Sequence, residues 1–271
     1  MTVSMTEFFN WSRHPFADTY QLTTPFLGEK DQRVIRRALS LISCGKSFAL
    51  TGASGTGKST LAQHMANQLD PKHYQSIYIH YGGLQRSGIL KALADCLGVD
   101  TAGRSMPLLV KLQKHFVQIA DQTNARYPVL LIDDAQLLET ESLMDLCALM
   151  VSPQKKTVAA SVVLIGDRTL AKRLELNVMA PVKTRMTCIF AIDGLDEKDA
   201  ERFINFRIEA AKAPGDLFDA ESISLISAHC RGNRRQLMNI ATLLLEDAFF
   251  RQEKTVGSHL IIESDLIDQS G

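Results

Sequence analysis

The chain has 271 residues, of which 45% are hydrophobic and 22% are charged. Lysine plus arginine and aspartate plus glutamate number 30 each, so a net charge of zero gives no support to indiscriminate binding of nucleic acid. A local basic patch stays compatible with that balance. The composition is typical of a globular protein and excludes wholesale disorder. The length predicts one large α/β domain and a smaller one, because single cores stop growing at about 250 residues.

The five cysteines are far apart and never show C-x-x-C spacing, which indicates reduced thiols. The chain has no run of about 18 apolar residues, and Glu7, Asn10 and Arg13 stand where a signal peptide would need an apolar core. We therefore expect a soluble, cytoplasmic protein with no membrane partner. The seven histidines show no metal-ligand spacing, so we expect no metal site built from them.

Residues 52–59 fit the pattern G-x-x-x-x-G-K-[ST] at every fixed position. A short β-type run, 48–50, precedes this motif, and apolar residues at helical spacing follow it. In that context glycines let backbone N–H groups turn toward an anion, which a helix N-terminus also attracts. Lys58 is predicted to reach the β- and γ-phosphates of ATP, and the Ser59 hydroxyl to ligate Mg²⁺. The predicted nucleotide-binding residues of this stretch are Gly52, Ala53, Ser54, Gly55, Thr56, Gly57, Lys58, Ser59 and Thr60.

Four consecutive aliphatic residues, 129–132, end in the paired carboxylates Asp133 and Asp134. A continuous apolar strand indicates a sheet covered on both faces, and its carboxyl end is where open parallel sheets bind ligands. We expect Asp133 to hold Mg²⁺ through water and Asp134 to polarise the attacking water. The alternative is an ordinary strand that ends in a turn.

Strands and helices alternate over the first two thirds of the chain, which predicts a parallel sheet with helices on both faces. Asp167 follows one such strand and is predicted to sense the γ-phosphate. From Asp196 the pattern changes to helices without strands. Strands are predicted at 48–50, 76–80, 129–132, 161–165 and 188–192, and the later helices at 196–212, 219–229 and 233–250.

These elements predict four segments: an irregular N-terminal arm, 1–27; a nucleotide-binding α/β domain, 28–194; a helical lid, 195–252; and a C-terminal tail, 253–271. In the arm, Phe16 or Phe26 could line an adenine pocket, and a hydrophobic plug on the sheet is the alternative. Three arginines, 231, 234 and 235, surround the start of the last long helix, where the helix dipole disfavours positive charge. A nearby anion would explain them.

Taken together, these motifs resemble those of AAA+ ATPases, and more narrowly the ExeA/TniB/TnsC/MuB group, over residues 8–250. The resemblance implies a P-loop AAA+ fold: a three-layer αβα domain with a parallel sheet, plus a small C-terminal helical lid. This group commonly has Asp-Glu-Ala-Gln where residues 133–136 read Asp-Asp-Ala-Gln. Because Asp134 is one methylene shorter than glutamate, we expect it to position its water less well.

Two arginines match catalytic positions of these ATPases. Arg235, three residues after Gly232, matches the second sensor arginine. Arg185, just before the last strand, matches the arginine that reaches the γ-phosphate of a neighbouring subunit. The alternative for Arg185 is a surface charge that caps the end of a helix.

The group contains two kinds of protein. The TniB, TnsC and MuB type polymerise on double-stranded DNA with ATP and recruit or stimulate a transposase. The ExeA type assemble a secretion apparatus and usually continue into a transmembrane segment, before which this chain stops. The resemblance therefore implies an ATP-dependent, DNA-binding regulator of transposition, a homo-oligomeric ring or filament that hydrolysis disassembles, with a transposase and a target-selection protein as partners. A nucleotide-gated signalling ATPase without DNA binding is a third hypothesis.

Binding of duplex DNA would need basic residues that contact phosphates. Arg86, after the second strand, and Lys155 and Lys156, before the strand at 161–165, are the candidates. Each alone is typical of a solvated side chain. Several copies in a filament would multiply such weak contacts.

Overall fold

The computed structural model describes residues 4–19, 22–80, 86–102, 106–122, 124–151 and 158–264, except for the side chains of residues 86 and 87. The chain divides into two compact units. The sheet unit contains Glu29–Ala53 and Lys58–Ile192. The helical unit contains Met1–Gly28, Ser54–Gly57 and Asp193–Gly271.

Within the described residues, five strands form one parallel sheet: β1 (Ser47–Thr51), β2 (Tyr74–His80), β3 (Tyr127–Asp133), β4 (Ser161–Gly166) and β5 (Met186–Ala191). Their spatial order is β2-β3-β4-β1-β5, and all neighbouring pairs are parallel. Parallel strands place their carboxyl ends at one edge of the sheet, where ligands bind in such folds. Since β4 separates β1 from β3, the ends of these two strands lie about 10 Å apart, which is two strand spacings.

Helices account for the rest of the regular structure. Short 3₁₀ turns occur at Ala135–Leu137 and Asn177–Met179. In chain order the α-helices of the described residues are α1 (Met5–Phe9), α2 (Glu29–Ser43), α3 (Lys58–Asn67), α4 (Arg86–Leu97), α5 (Leu108–Ala120), α6 (Thr140–Leu149), α7 (Arg168–Leu174), α8 (Ala180–Lys183), α9 (Glu197–Ala210), α10 (Ala220–Cys230), α11 (Arg234–Phe250) and α12 (Ser258–Glu263).

Apolar side chains on both faces of the sheet hold its layers together. On one face Ala49, Leu130 and Val162 join the buried side chains of α4 to α8 in one core. On the other face Phe48 and Leu131 are fully buried, and α2 and α3 pack against β1 and β4. Each fully buried aliphatic side chain contributes roughly 1.5–3 kcal/mol. The predicted three-layer α/β domain with a parallel sheet is confirmed.

The turn between α2 and β1 shows how local sequence sets an element boundary. Gly45 has φ +66°, a conformation that glycine adopts without strain. Its N–H donates to Ile42 O at 2.9 Å, and Lys46 N–H donates to Leu41 O at 2.9 Å, which is the Schellman pattern of a helix end. Gly45 therefore ends α2 and directs the chain into β1.

The first residues of the chain are part of the helical unit. Phe8, Phe9, Trp11 and Phe16 are buried in one cluster with side chains of α9 to α12. The Trp11 ring stacks on Phe9 at 4.7 Å between centroids, and aromatic contacts of this kind add to area burial. The arm thus completes the core of the helical unit, and the interpretation of it as a plug on the sheet was wrong.

One buried cation fixes this arm in place. Arg207 of α9 donates from Nε to Pro15 O at 2.7 Å and from Nη2 to Ala17 O at 3.0 Å. Phe16 is 2% exposed and meets Phe218 edge to face, so its ring presents no open face to an adenine. Phe26 is partly buried against Phe203 and remains the hypothetical adenine contact in the arm.

The helical unit is larger than the predicted lid, 195–252. Val256, Leu260 and Ile261 are buried in the same cluster, so residues up to α12 pack within this unit. Across the part of the chain that the structure describes, no helix combines the length and the apolar character needed to cross a membrane.

Candidate active site

The loop between β1 and α3 has the backbone shape of a phosphate-binding loop. Gly55 and Gly57 have φ +79° and +91°, and alternating conformations of this kind turn successive N–H groups toward one point. The next helix begins at Lys58, so its N-terminal partial positive charge lies at the same loop. Lys58 Nζ donates to Ala53 O at 2.8 Å, which keeps the ammonium group against the loop.

The predicted magnesium ligands of the sheet unit share one hydrogen-bond partner. The Tyr78 hydroxyl of β2 donates to Asp133 Oδ2 at 2.5 Å and is also hydrogen-bonded to the side chain of Ser59. The Ser59 hydroxyl and the Asp133 carboxylate therefore both lie beside the Tyr78 hydroxyl. A hydroxyl and a carboxylate that share a neighbour in this way fit an octahedral Mg²⁺ that keeps several waters.

Asp133 is buried, so its hydrogen bonds replace contacts with water. Asp133 is 3% exposed, and its Oδ1 accepts from Asp134 N–H at 2.9 Å. Burial raises the pKa of Tyr78 above its ordinary value, and the hydrogen bond to Asp133 raises it further, so the phenol stays a neutral donor. Among the described residues no group of three or more His, Cys, Asp or Glu side chains could hold a metal. Mg²⁺ would therefore depend on Ser59, Asp133, water and the phosphates.

Asp134 occupies a backbone conformation that suits aspartate. Its φ of +52° and ψ of +36° lie in the left-handed region, where Asp and Asn are enriched among residues other than glycine. Asp134 Oδ1 accepts from Gln136 Nε2 at 3.0 Å. Aspartate is thus one of the residue types that tolerate the backbone conformation of position 134.

Gln136 links the ends of two strands. Its Nε2 reaches Asp134, and its Oε1 accepts from Asp167 N–H at 3.2 Å. A Cβ at Gly166 would lie 2.7 Å from that Oε1, so the close approach needs glycine there. Arg173 Nη1 donates to Gln136 O at 3.0 Å and holds the backbone of the same loop.

Asp167 caps α7. Its Oδ1 accepts from Thr169 N–H at 2.8 Å and from Leu170 N–H at 3.4 Å. Burial would raise the pKa of Asp167, but these hydrogen bonds and the charge of Lys58 outweigh it, and the pKa is lowered. Asp167 is therefore an anion beside Lys58. Its predicted role toward the γ-phosphate stays a prediction.

The sequence reasoning missed Tyr78, His80 and Gln136. His80 ends β2 opposite Asp133, with Nδ1 3.7 Å from Asp133 Oδ2 and Nε2 3.5 Å from Asp134 Oδ2. The signal that the sequence offered was the position of these residues near the ends of strands, because the carboxyl ends of neighbouring parallel strands lie together. Without the strand order, nothing in the sequence shows that β2 adjoins β3.

The remaining predicted residues have separate surroundings. Arg185 is exposed, and its Nη1 donates to Pro181 O at 3.0 Å, which is the helix-capping contact named as the alternative role. Thr60 is exposed in the first turn of α3. Lys155, Lys156 and the side chain of Arg86 lie outside the described residues. The interfacial role of Arg185 and these DNA contacts stay predictions.

Within the helical unit, the start of α11 binds the tip of the phosphate loop. Arg235 Nη1 donates to Ser54 Oγ at 3.1 Å, and Arg235 N–H donates to Gly55 O at 3.3 Å. The guanidinium of Arg234 donates to Thr56 O. Loop oxygens are therefore partners of Arg234 and Arg235, two of the three arginines for which the sequence predicted a nearby anion.

The stretch 232–235, which makes these contacts, is held in place at its first residue, Gly232. Gly232 has φ +75°, and a Cβ there would lie 1.9 Å from Leu195 O. Leu195 N–H donates to Gly232 O at 2.9 Å. Only glycine permits this approach of the two backbones, so Gly232 fixes where α11 begins.

Comparisons with known proteins agree with this fold and this loop. Residues 43–174 match the family model described as an AAA domain, and the chain has the AAA+ P-loop fold. No curated protein matches the chain by sequence at a significant level.

Solved structures resemble the chain along most of its length. The ORC2 protein of Aeropyrum pernix in ADPNP-ADP complexes has a TM-score of 0.73 and 15% identity over 95% of this chain and 72% of that one. The Aeropyrum pernix ORC1 protein in complex with DNA has a TM-score of 0.68 and 14% identity over 94% and 67%. Domain III of the Thermotoga maritima replication initiation protein DnaA has a TM-score of 0.57 and 18% identity over 89% and 94%. At these identities the likeness concerns the fold.

We predict that Tyr78→Phe destabilises the sheet unit by about 1.5–3 kcal/mol, because a buried carboxylate loses a hydrogen bond. Tyr127→Phe is the matched control: the Tyr127 hydroxyl lies 3.2 Å from Ser161 Oγ, and such neutral bonds contribute about 0.5–1.5 kcal/mol. Urea unfolding measures both variants. Equal losses in the two variants would contradict a special role of the Tyr78–Asp133 contact.

Proposed function

We propose that the chain is a cytoplasmic, ATP-dependent, DNA-binding AAA+ protein that oligomerises on duplex DNA and regulates transposition by recruiting or activating a transposase. Hydrolysis of ATP would disassemble the oligomer. The observation that carries the proposal is the convergence of a phosphate-loop hydroxyl, a buried carboxylate and a second carboxylate at one edge of the sheet unit. Those are Ser59, Asp133 and Asp134.

Each residue has a defined part in the proposed reaction. Lys58 and the loop N–H groups bind the phosphates, and Asp134 orients and activates the attacking water. Gln136 holds the Asp134 carboxylate in place. Bound Mg²⁺, held by Ser59 and Asp133, would neutralise charge on the phosphates. Arg235 of the same chain and Arg185 of a neighbouring subunit would stabilise charge on the γ-phosphate.

A basic face of α2 supports binding of a polyanion. Asp31, Ile35, Ala38 and Ile42 form its buried face at helical spacing. The opposite, exposed face carries one acidic residue, Glu29, and four cations: Lys30, Arg33, Arg36 and Arg37. Cations at spacings of three and four residues follow one another along a helix and can contact successive phosphates of a duplex.

Replication initiation is the second candidate function. The ORC1 protein and Drosophila ORC, whose structures resemble this fold, were each solved with DNA. Transposition predicts that the protein with ATP stimulates a transposase, whereas initiation predicts preferential binding of a defined DNA site. Retention of DNA without any oligomer would contradict the filament model. Oligomers that form with ATP but do not bind DNA would favour a signalling ATPase or an ExeA-type role in secretion.

We predict that Lys58→Ala abolishes nucleotide binding, whereas Asp134→Asn keeps ATP binding and lowers hydrolysis by about 10²–10⁴, the typical contribution of a general base. Asparagine also tolerates the left-handed backbone of residue 134, so the change tests the carboxylate alone. Titration with labelled ATP and phosphate release measure the two steps. Electron microscopy should show oligomers of Asp134→Asn that persist in ATP. Normal hydrolysis in this variant would reassign the water-positioning role.

Mixing two inactive variants tests whether Arg185 acts across an interface. Arg185→Ala subunits keep a complete phosphate loop, and Lys58→Ala subunits keep the arginine. At equal ratio we expect hydrolysis to return at roughly a quarter of the interfaces of a head-to-tail assembly. Lys183→Ala, which removes a neighbouring exposed cation, is the control and should stay active. Absence of recovery at every ratio would support the helix-capping role of Arg185.

We predict that replacing Arg33, Arg36 and Arg37 together by Gln weakens DNA binding and reduces the salt dependence by about one unit of slope per lost phosphate contact. Filter binding at several salt concentrations measures both quantities. The control replaces three exposed lysines elsewhere, Lys172, Lys198 and Lys212.

A second triple variant, at Arg86, Lys155 and Lys156, compares the surface predicted from the sequence with the α2 face. Unchanged affinity and slope in one variant exclude that surface as a DNA contact.

A further inference from the structure

Three successive carbonyl groups of the phosphate loop are bound from one side. The Asn233 Nδ2 amide donates to Ser54 O at 2.9 Å. The backbone N–H of Arg235 donates to Gly55 O at 3.3 Å, and the guanidinium of Arg234 donates to Thr56 O. All donors belong to one three-residue stretch at the start of α11, and all the residues lie within the helical unit.

Because of peptide geometry, these carbonyl contacts also fix the direction of the loop N–H groups. A trans peptide is planar, so its C=O and the N–H of the following residue point in opposite directions. Carbonyls 54, 55 and 56 face α11, and the N–H groups of Gly55, Thr56 and Gly57 therefore point away from it. Backbone N–H groups of a loop of this kind are the donors that cradle phosphates.

Asn233 has a double function that few side chains could perform. Its Oδ1 caps α11 by accepting from Arg235 N–H and Gln236 N–H, each at 3.2 Å, while its Nδ2 donates to the loop. Aspartate or serine could cap the helix equally well. Aspartate has no donor for Ser54 O, and serine is too short to reach it.

Glycine in the loop makes the contact possible. A Cβ at Gly55 would lie 2.2 Å from Asn233 Oδ1, and a Cβ at Gly57 would lie 3.1 Å from the Arg234 guanidinium. A side chain at Gly55 would displace the Asn233 amide, and one at Gly57 would crowd the Arg234 guanidinium. The glycines of the motif thus admit α11 on one side of the loop as well as an anion on the other.

We propose that Asn233 and Arg234 are positioning residues for nucleotide binding, which orient the N–H groups of the phosphate loop through its carbonyls without touching the nucleotide. The proposal rests on the proposed binding of ATP. In this proposal the start of α11 sets the affinity of the loop for the phosphates that ADP and ATP share.

Comparison of ADP with ATP separates this role from that of Arg235. Loss of the loop contacts should weaken binding of ADP and ATP by the same factor, because both nucleotides use the loop. Loss of an arginine that contacts the γ-phosphate should weaken binding of ATP much more than that of ADP. Arg235→Ala supplies that reference pattern.

The experiment measures the dissociation constants of labelled ADP and ATP for Asn233→Asp, Asn233→Ser and Arg234→Gln. We expect each variant to lose about tenfold in affinity for both nucleotides, as one lost hydrogen bond predicts. Asn233→Ser introduces no charge, and Arg234→Gln leaves Asn233 as the N-cap of α11. Asp196→Asn is the matched control, because Asp196 caps a different helix, α9, by accepting from Asp199 N–H at 2.9 Å. The affinity of this variant for ADP and ATP should be unchanged.

Thermal unfolding of the same variants distinguishes positioning from folding. Equal melting temperatures with equal losses for ADP and ATP support the proposal. Wild-type affinity in the folded Asn233→Ser and Arg234→Gln variants would overturn it, as would a loss confined to ATP. If the wild-type protein binds neither nucleotide, the proposed function itself fails.

Discussion

A phosphate loop binds its ligand with backbone N–H groups, and each N–H is rigidly joined to a carbonyl that must face the opposite way. Those carbonyls need partners of their own, because an unpaired polar group away from water costs free energy. Here the partners of three loop carbonyls come from Asn233, Arg234 and Arg235 at the start of α11. Residues Ser54–Gly57 of the loop and the first residues of α11 are therefore one structural device, and they belong to the same compact unit.

The sheet unit solves a second problem, which is the burial of a carboxylate. Asp133 is almost fully buried, and burial of an unpaired charge is unfavourable. The Tyr78 hydroxyl and the N–H of Asp134 supply hydrogen bonds to it, and the ring of His80 lies near it. These neighbours fix the orientation of the carboxylate. Gln136 extends the same network to the ends of β3 and β4, so the residues proposed to act on water and phosphate are positioned together.

The helical unit illustrates how a small core is completed. The unit is small, and a small bundle buries too little apolar surface to be very stable alone. Four aromatic residues of the N-terminal arm fill that core, and Arg207 binds the arm through backbone carbonyls. The aromatic and proline pattern of the arm thus has a packing explanation in this unit. Phe16 belongs to that packing, which leaves Phe26 as the hypothetical adenine contact.

The sequence alone determined the elements whose causes are local: the glycine loop with Lys58 and Ser59, the aliphatic strand that ends in Asp133 and Asp134, and the helix end at Gly45. These depend on backbone freedom, capping and periodicity within a few residues. Tertiary structure decided the strand order, which brings Tyr78 and His80 of β2 to Asp133, and the core to which the arm contributes. It also decided that Asn233 and Arg234 bind the phosphate loop some 180 residues away, as the separations of 179 and 178 residues show. Contacts between distant segments carry no local signature, because many pairings satisfy the same hydrophobic pattern.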